Sequence, residues 1–270
     1  METRFISILS MPRNGTNYLC DLIGKFQEID SLYEIYHNQS VFINNGLLSK
    51  NIIGHINRIY KLQIKDNNDP QFTNFIAKNP ALFLDIISSY SKNKYISFKV
   101  FPNHLSLKDL KQVIIKNDRI TKIVVKRNLL DVYFSVQFAR LTQRWDRKDT
   151  SSLKVDFNPN NFLKWFSFHK EYYDFIDREL EANNQKAIAL DYEKIHSLNN
   201  NQDKFLFLFN FLQSAGLDID RENLLERSQA ELNKNIRKKQ DKRVNRLDKV
   251  NNPQVLLNTL KQNQLESLLA

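Results

Sequence analysis

The chain has 270 residues, 41% hydrophobic and 26% charged, with a formal net charge of +10. That is enough apolar material for one large α/β domain, and no stretch approaches the ~20 apolar residues that cross a bilayer. A single cysteine, Cys20, rules out an internal disulfide, and its place in the first helix suits a small buried hydrophobe. The basic excess is spread along the chain, so nucleic acid is not expected as a partner. Its densest run lies between Lys234 and Lys249. The first strand begins almost at once, which leaves no room for a signal peptide and points to a cytoplasmic protein without a membrane span.

In chain order the pattern alternates strands and helices and then ends in helices. Arg4–Leu9 reads as a first strand and Thr16–Gln27 as its helix. Leu32–Tyr36 reads as a short second strand, and residues 41–92 as mostly helical, with Pro80 at a favourable first helical position. Tyr95–Phe101 is a third strand. Ser106 and Asp109 form a capping-box variant that opens a helix over 107–117. Lys122–Lys126 is a fourth strand, followed by a helix over 129–144.

Asp146–Asp156 reads as a surface loop over the site. Asn158-Pro159 starts a long helix reaching about Ala182, with an aromatic stripe (Phe162, Trp165, Phe166, Tyr172) that suits core better than a groove. Lys186–Leu190 is a fifth strand, and Phe205–Leu212 lies on a later helix. Such alternation implies a parallel sheet of about five strands flanked by helices, with ligands bound beyond the carboxyl ends of the strands. No linker divides the chain, so residues 1–270 are read as one domain.

The most informative stretch is Ser10-Met-Pro-Arg13-Asn14-Gly15-Thr16-Asn17, where a strand turns tightly into a helix. Unpaired N–H groups at such a helix start, together with the helix dipole, make a site for a phosphate-like anion. Gly15 allows close approach of the backbone, Thr16, Asn14 and Asn17 add side-chain donors, and Arg13 adds a fixed charge. The nucleoside-triphosphate loop G-x-x-x-x-G-K-[ST], with its lysine and magnesium-binding hydroxyl, is not present here. No metal ligand set is expected.

Pro12-Arg13-Asn14-Gly15-Thr16-Asn17 resembles the P-[KR]-[ST]-G-[TS]-[TS] loop of sulfotransferases that use 3′-phosphoadenosine 5′-phosphosulfate (PAPS), with asparagines at positions 14 and 17 where hydroxyl residues are usual. The strand ending near Arg127, with Ser135 eight residues later on the next helix, resembles that family's 3′-phosphate motif. The resemblance implies a P-loop, nucleotide-kinase-like sulfotransferase fold and PAPS as donor. It also implies a hydroxyl acceptor on a carbohydrate or another extended substrate, nearer the carbohydrate and bacterial-type branches than the cytosolic one. The donor-binding core would be 4–195, with a basic flap and helix over 224–270.

In that reading Arg13, Asn14, Gly15, Thr16 and Asn17 hold the donor's 5′ end and Arg127 and Ser135 its 3′-phosphate. Arg243, in Arg243-Val-Asn245, closes over the nucleotide. Arg13 would neutralise charge on the leaving phosphate. The base that takes the acceptor proton would be Glu34, where several branches place a glutamate, or secondly His104, although Lys99 to His104 is longer than the cytosolic branch's Lys-x-His. Leu190-Asp-Tyr192-Glu193 resembles a family turn whose role is structural. Residues 41–92 and 145–185 would shape the acceptor site. Two readings stand against this one: a phosphoryl-transferring, nucleotide-kinase-like enzyme, and a non-catalytic module for nucleotides or polyanions.

Overall fold

A computed structural model describes residues 3–145, 149–220, 241 and 243–269. Five parallel strands form one sheet in the order β2-β3-β1-β4-β5: β1 (Arg4–Leu9), β2 (Ile29–Ser31), β3 (Tyr95–Val100), β4 (Ile120–Lys126) and β5 (Ala187–Asp191). β1, β3 and most of β4 are buried, as expected for a parallel sheet covered on both faces. The α/β class, the parallel sheet and its five strands are therefore as expected from the sequence.

Alternate residues of β1 serve the two faces. Phe5 and Leu9 point to one layer, made by α2 (Gly46–Tyr60), α3 (Pro70–Lys78), α4 (Pro80–Tyr90) and the second half of the long α7 (Pro159–Ala182). Ile6 and Ile8 point to the other, made by α1 (Thr16–Ile23), α8 (Tyr192–Ser197) and α9 (Asn201–Ser214). A third cluster, with Phe134, Phe162 and Leu256 at its centre, joins α6 (Leu129–Thr142), the start of α7 and α10 (Pro253–Gln262). The aromatic stripe of α7 is core: Phe162 and Tyr172 are buried and the stripe stays off the cavity wall. Cys20 is buried, as its position suggested.

Helix starts follow side-chain chemistry. Asn45, Asp69, Asn128, Asn158, Asp191 and Asn200 each accept a hydrogen bond from a backbone N–H of the helix they precede. Each such cap satisfies a donor the helix leaves open and contributes about 1 kcal/mol.

Two expected elements are corrected. The helix over 107–117 is a single α-turn, α5 (Leu107–Asp109), that widens into a π-helical stretch, Leu110–Ile115; Ser106 caps it as expected. The second strand is Ile29–Ser31, not Leu32–Tyr36. The apolar run misled because Leu32, Ile35 and Tyr36 are buried against the first layer without forming a ladder. The chain still follows β3 for two more residues, with Leu32 N–H on the Ser97 carbonyl and Lys99 N–H on the Tyr33 carbonyl. That extension sets Glu34 opposite Lys99.

From β1 the chain crosses towards β2 on one side of the sheet, while β4 leads to β5 on the other. Because β1 and β4 are neighbours, their outgoing loops diverge and leave a crevice between their carboxyl ends. Arg13 follows β1 and Arg127 follows β4, so both flank that crevice.

Candidate active site

A cavity of about 730 Å³ opens at these strand ends, within the range of small-molecule sites. Its wall includes Arg13, Gly15, Thr16, Asn17, Arg127 and Ser135 together with Glu34, Lys99 and His104. Eight of the ten residues expected to act thus line the cavity, and the other two, Asn14 and Arg243, lie off its wall.

The loop after β1 takes its shape from two left-handed residues, Arg13 at φ 73° and Gly15 at φ 78°. For Arg13 this conformation is unfavourable and must be held by its surroundings. Arg127 does so by donating from Nη1 to the Arg13 carbonyl at 2.8 Å. Gly15 is required on two counts. Its φ disfavours a side chain, and an added Cβ would sit 2.0 Å from the Tyr192 ring. Tyr192 in turn lies under the Arg127 guanidinium, 4.6 Å from it, so glycine, ring and cation form one stack. No side chain caps the first turn of α1, whose start at Thr16 faces the cavity.

The Arg13 side chain reaches α6, donating from Nε to Ser135 Oγ at 3.0 Å and from Nη1 to the Trp145 carbonyl. Arg127, Arg13 and Ser135 therefore form one connected group of donors. The guanidinium of Arg127 also lies 3.7 Å from Glu193, whose carboxyl is pushed up by burial against the pull of Arg127.

Asn14 is a correction. Its side chain is fully buried and donates to the Val125 carbonyl at 3.2 Å and the Tyr173 hydroxyl at 2.8 Å. Tyr173 also accepts from Met11 N–H and donates to Val125. Since the loop turns Arg13 and Gly15 outwards, the residue between them turns in. Its amide fastens the loop to β4 and is not offered to a ligand.

Arg243 lies off the cavity wall. It pairs with Asp241 at 2.9 Å and donates to the carbonyls of Thr150 and Leu153. Its hydrogen-bonding capacity is used in fastening the chain around residue 243 to the loop before α7. The wall there is formed by Asp131, Thr150, Asp241 and Lys249. Lys249 is buried and pairs with Asp131 at 2.6 Å, and Arg246 pairs with the same carboxylate at 3.0 Å. Burial raises Asp131, but Lys249 and Arg246 outweigh it and hold it below the usual carboxylate range. Of the expected basic flap and helix over 224–270, residues 224–240, 242 and 270 lie outside the described residues, as do 146–148 of the expected loop over the site.

At the far end, Glu34 is half-buried with Oε1 2.8 Å from the Lys99 ammonium and Oε2 3.5 Å from His104 Nε2. Burial pushes the Glu34 carboxyl up, yet the contact with His104 and the charge of Lys99 bring it down to about 2. His104 Nδ1 accepts from Phe101 N–H at 3.2 Å, which places the proton of a neutral ring on Nε2, facing Glu34. In that arrangement His104 is a donor to Glu34, and the carboxylate is the proton acceptor of the pair. His37 lies on the same wall, its ring 5.7 Å from that of His104; burial lowers its pKa.

Lys99 entered the sequence reading only through its spacing to His104 and was given no role of its own. Only 1% exposed, it donates to Glu34 and to Asn17 Oδ1, and so touches both ends of the cavity. The signal available was a lysine inside an otherwise apolar strand. Tyr192, read as structural, also lines the cavity. Among the described residues, the expected acceptor-forming segments contribute Phe42, Trp145 and Thr150 to the wall. Among the described residues no group of three or more His, Cys, Asp or Glu could hold a metal ion, and no helix is long and apolar enough to cross a membrane.

No family model and no curated protein matches the chain. Among solved structures, the chain is similar to the sulfotransferase domain from the Synechococcus PCC 7002 olefin synthase, at 13% identity, with 85% of this chain and 80% of that one covered and a TM-score of 0.41.

Proposed function

We propose that the chain is a sulfotransferase that moves a sulfuryl group from PAPS to a hydroxyl acceptor. The observation that carries this is the convergence, on one cavity, of an anion-type loop and two arginines with a Lys–Glu–His group whose lysine and histidine are buried. The loop and arginines suit a donor with phosphate-like groups, because charge-assisted hydrogen bonds to such oxygens are the strong ones. Arg13 stays protonated at any working pH and acts as a clamp on charge developing at the leaving phosphate. Arg127 and Ser135 serve the 3′-phosphate. The Arg13–Ser135 bond opens as each finds a donor oxygen.

Glu34 is the group that takes the acceptor proton. As the new O–S bond forms, the S–O bond to the 5′-phosphate breaks and the hydroxyl proton passes to the carboxylate. His104 orients Glu34, and a carbohydrate or other extended alcohol is the acceptor class. Like phosphoryl transfer, this chemistry depends mainly on positioning and electrostatic stabilisation.

The test is incubation with labelled PAPS and a mixed panel of glycans, lipids and peptides, followed by mass spectrometry for added sulfate. Paired binding measurements with 3′-phosphoadenosine 5′-phosphate and adenosine 5′-phosphate complete it. Equal affinity for the two nucleotides would remove the main support.

A further inference from the structure

We infer that Lys99 is a positioning residue that couples the two ends of the cavity: an anion seated on the loop draws its ammonium away from Glu34 and makes that carboxylate a stronger base. The inference rests on the reading of the loop as an anion site and of Glu34 as the proton acceptor, and deepens it.

The geometry confines Lys99 to such a role. Its backbone lies inside β3, paired with Ile8 of β1 and bonded to the Tyr33 carbonyl. Its side chain is buried, with the ammonium 5.4 Å from the Tyr33 ring and 5.3 Å from that of Phe101. Such a cation cannot withdraw to solvent; it can only redistribute among the acceptors around it. Those are Glu34 Oε1, Asn17 Oδ1 and whatever occupies the cavity it lines. An ammonium has three donors and no acceptor, so an anion on the turn next to Asn17 competes directly with Glu34.

The coupling also meets a chemical need. A carboxylate held at about 2 is poorly matched to removing a proton from an alcohol near neutral pH. The ionisable groups that face Glu34 are Lys99 and His104 from β3 and the loop after it, His37 on its own loop, and the Cys20 thiol from α1. Of these only Lys99 also contacts the anion loop. A bound anion both weakens the Lys99–Glu34 pair and adds a like charge, and the two effects raise the Glu34 pKa together. Donor bound first would then switch on the base for the acceptor.

The experiment is calorimetric binding of inorganic sulfate to the full chain at pH 5, in two buffers of different ionisation enthalpy, which counts protons taken up. Sulfate does not titrate in this range. If the anion returns Glu34 to its usual 4.5, uptake is about a quarter of a proton per sulfate bound. Glu34→Gln should abolish that uptake, Lys99→Met should lose most of it, and Lys99→Arg should retain it. Arg13→Ala should weaken sulfate binding, which assigns it to the loop. Equal uptake in wild type and Glu34→Gln, or in wild type and Lys99→Met, overturns the coupling while leaving the anion site standing. Failure of the wild type to bind sulfate at the loop overturns the anion-site reading itself, and the coupling with it.

Discussion

At the loop end of the cavity, Arg13, Gly15, Thr16 and Asn17 come from one short stretch, whereas the far end draws Glu34 from beyond β2 and Lys99 and His104 from β3 and the loop after it. The loop is held by backbone: two left-handed residues, the Arg127 bond to the Arg13 carbonyl, and the Tyr192 ring against Gly15. The far end is held by charge, through a buried ammonium and a carboxylate in direct contact. A backbone-held site offers fixed donors before any ligand arrives. A charge-held one responds to what binds, because each partner's ionisation depends on the other's.

The largest effect expected from separating the two ends is at the carboxylate. Glu34→Gln keeps the shape but removes the proton acceptor, so turnover should fall by ~10²–10⁴ while 3′-phosphoadenosine 5′-phosphate binding stays within a few-fold. Steady-state kinetics beside calorimetric binding would show it. Unchanged turnover would place the base elsewhere.

At the loop end the corresponding change is Gly15→Ala. Strain at φ 78° and the clash with Tyr192 should destabilise the fold by roughly 2–4 kcal/mol and abolish nucleotide binding. A melting curve near that of the wild type would show that the loop is less tightly held than its contacts imply.

Next in size is Arg127→Ala. Loss of a charged hydrogen bond of about 1.5–3 kcal/mol should weaken nucleotide binding tenfold or more and erase the preference for a 3′-phosphate. His104→Ala should cost less turnover than Glu34→Gln, since the ring's Nδ1 is tied to Phe101 and its Nε2 only orients the carboxylate. The reverse ranking would hand the base to histidine.

The smallest effects concern pH and metal. Because the folded Glu34 pKa, about 2, lies below its usual 4.5, its stabilising share is complete above that value and lost as pH falls towards 2. The difference in Tm between wild type and Glu34→Gln should therefore narrow from pH 5 to pH 2.5. Turnover should survive EDTA; a strict requirement for a divalent ion would move the assignment to phosphoryl transfer.

Local signals account for what the sequence by itself determined. Apolar β-branched runs, prolines at helix starts and polar caps act over a few residues, and they placed β1, β3, β4, β5 and the long α7 close to where they lie. The loop from Pro12 to Asn17 was legible for the same reason, because its donors share one turn. Only tertiary structure decided which way each of its side chains faces. Asn14 points to Val125 and Tyr173, contacts more than a hundred residues away in the chain. Arg243, similar in charge to Arg127, is held by the carbonyls of Thr150 and Leu153 and so kept off the cavity wall. The Glu34–Lys99 pair depends on the register of two strands, and register is fixed by packing across the whole sheet rather than by residues next in sequence.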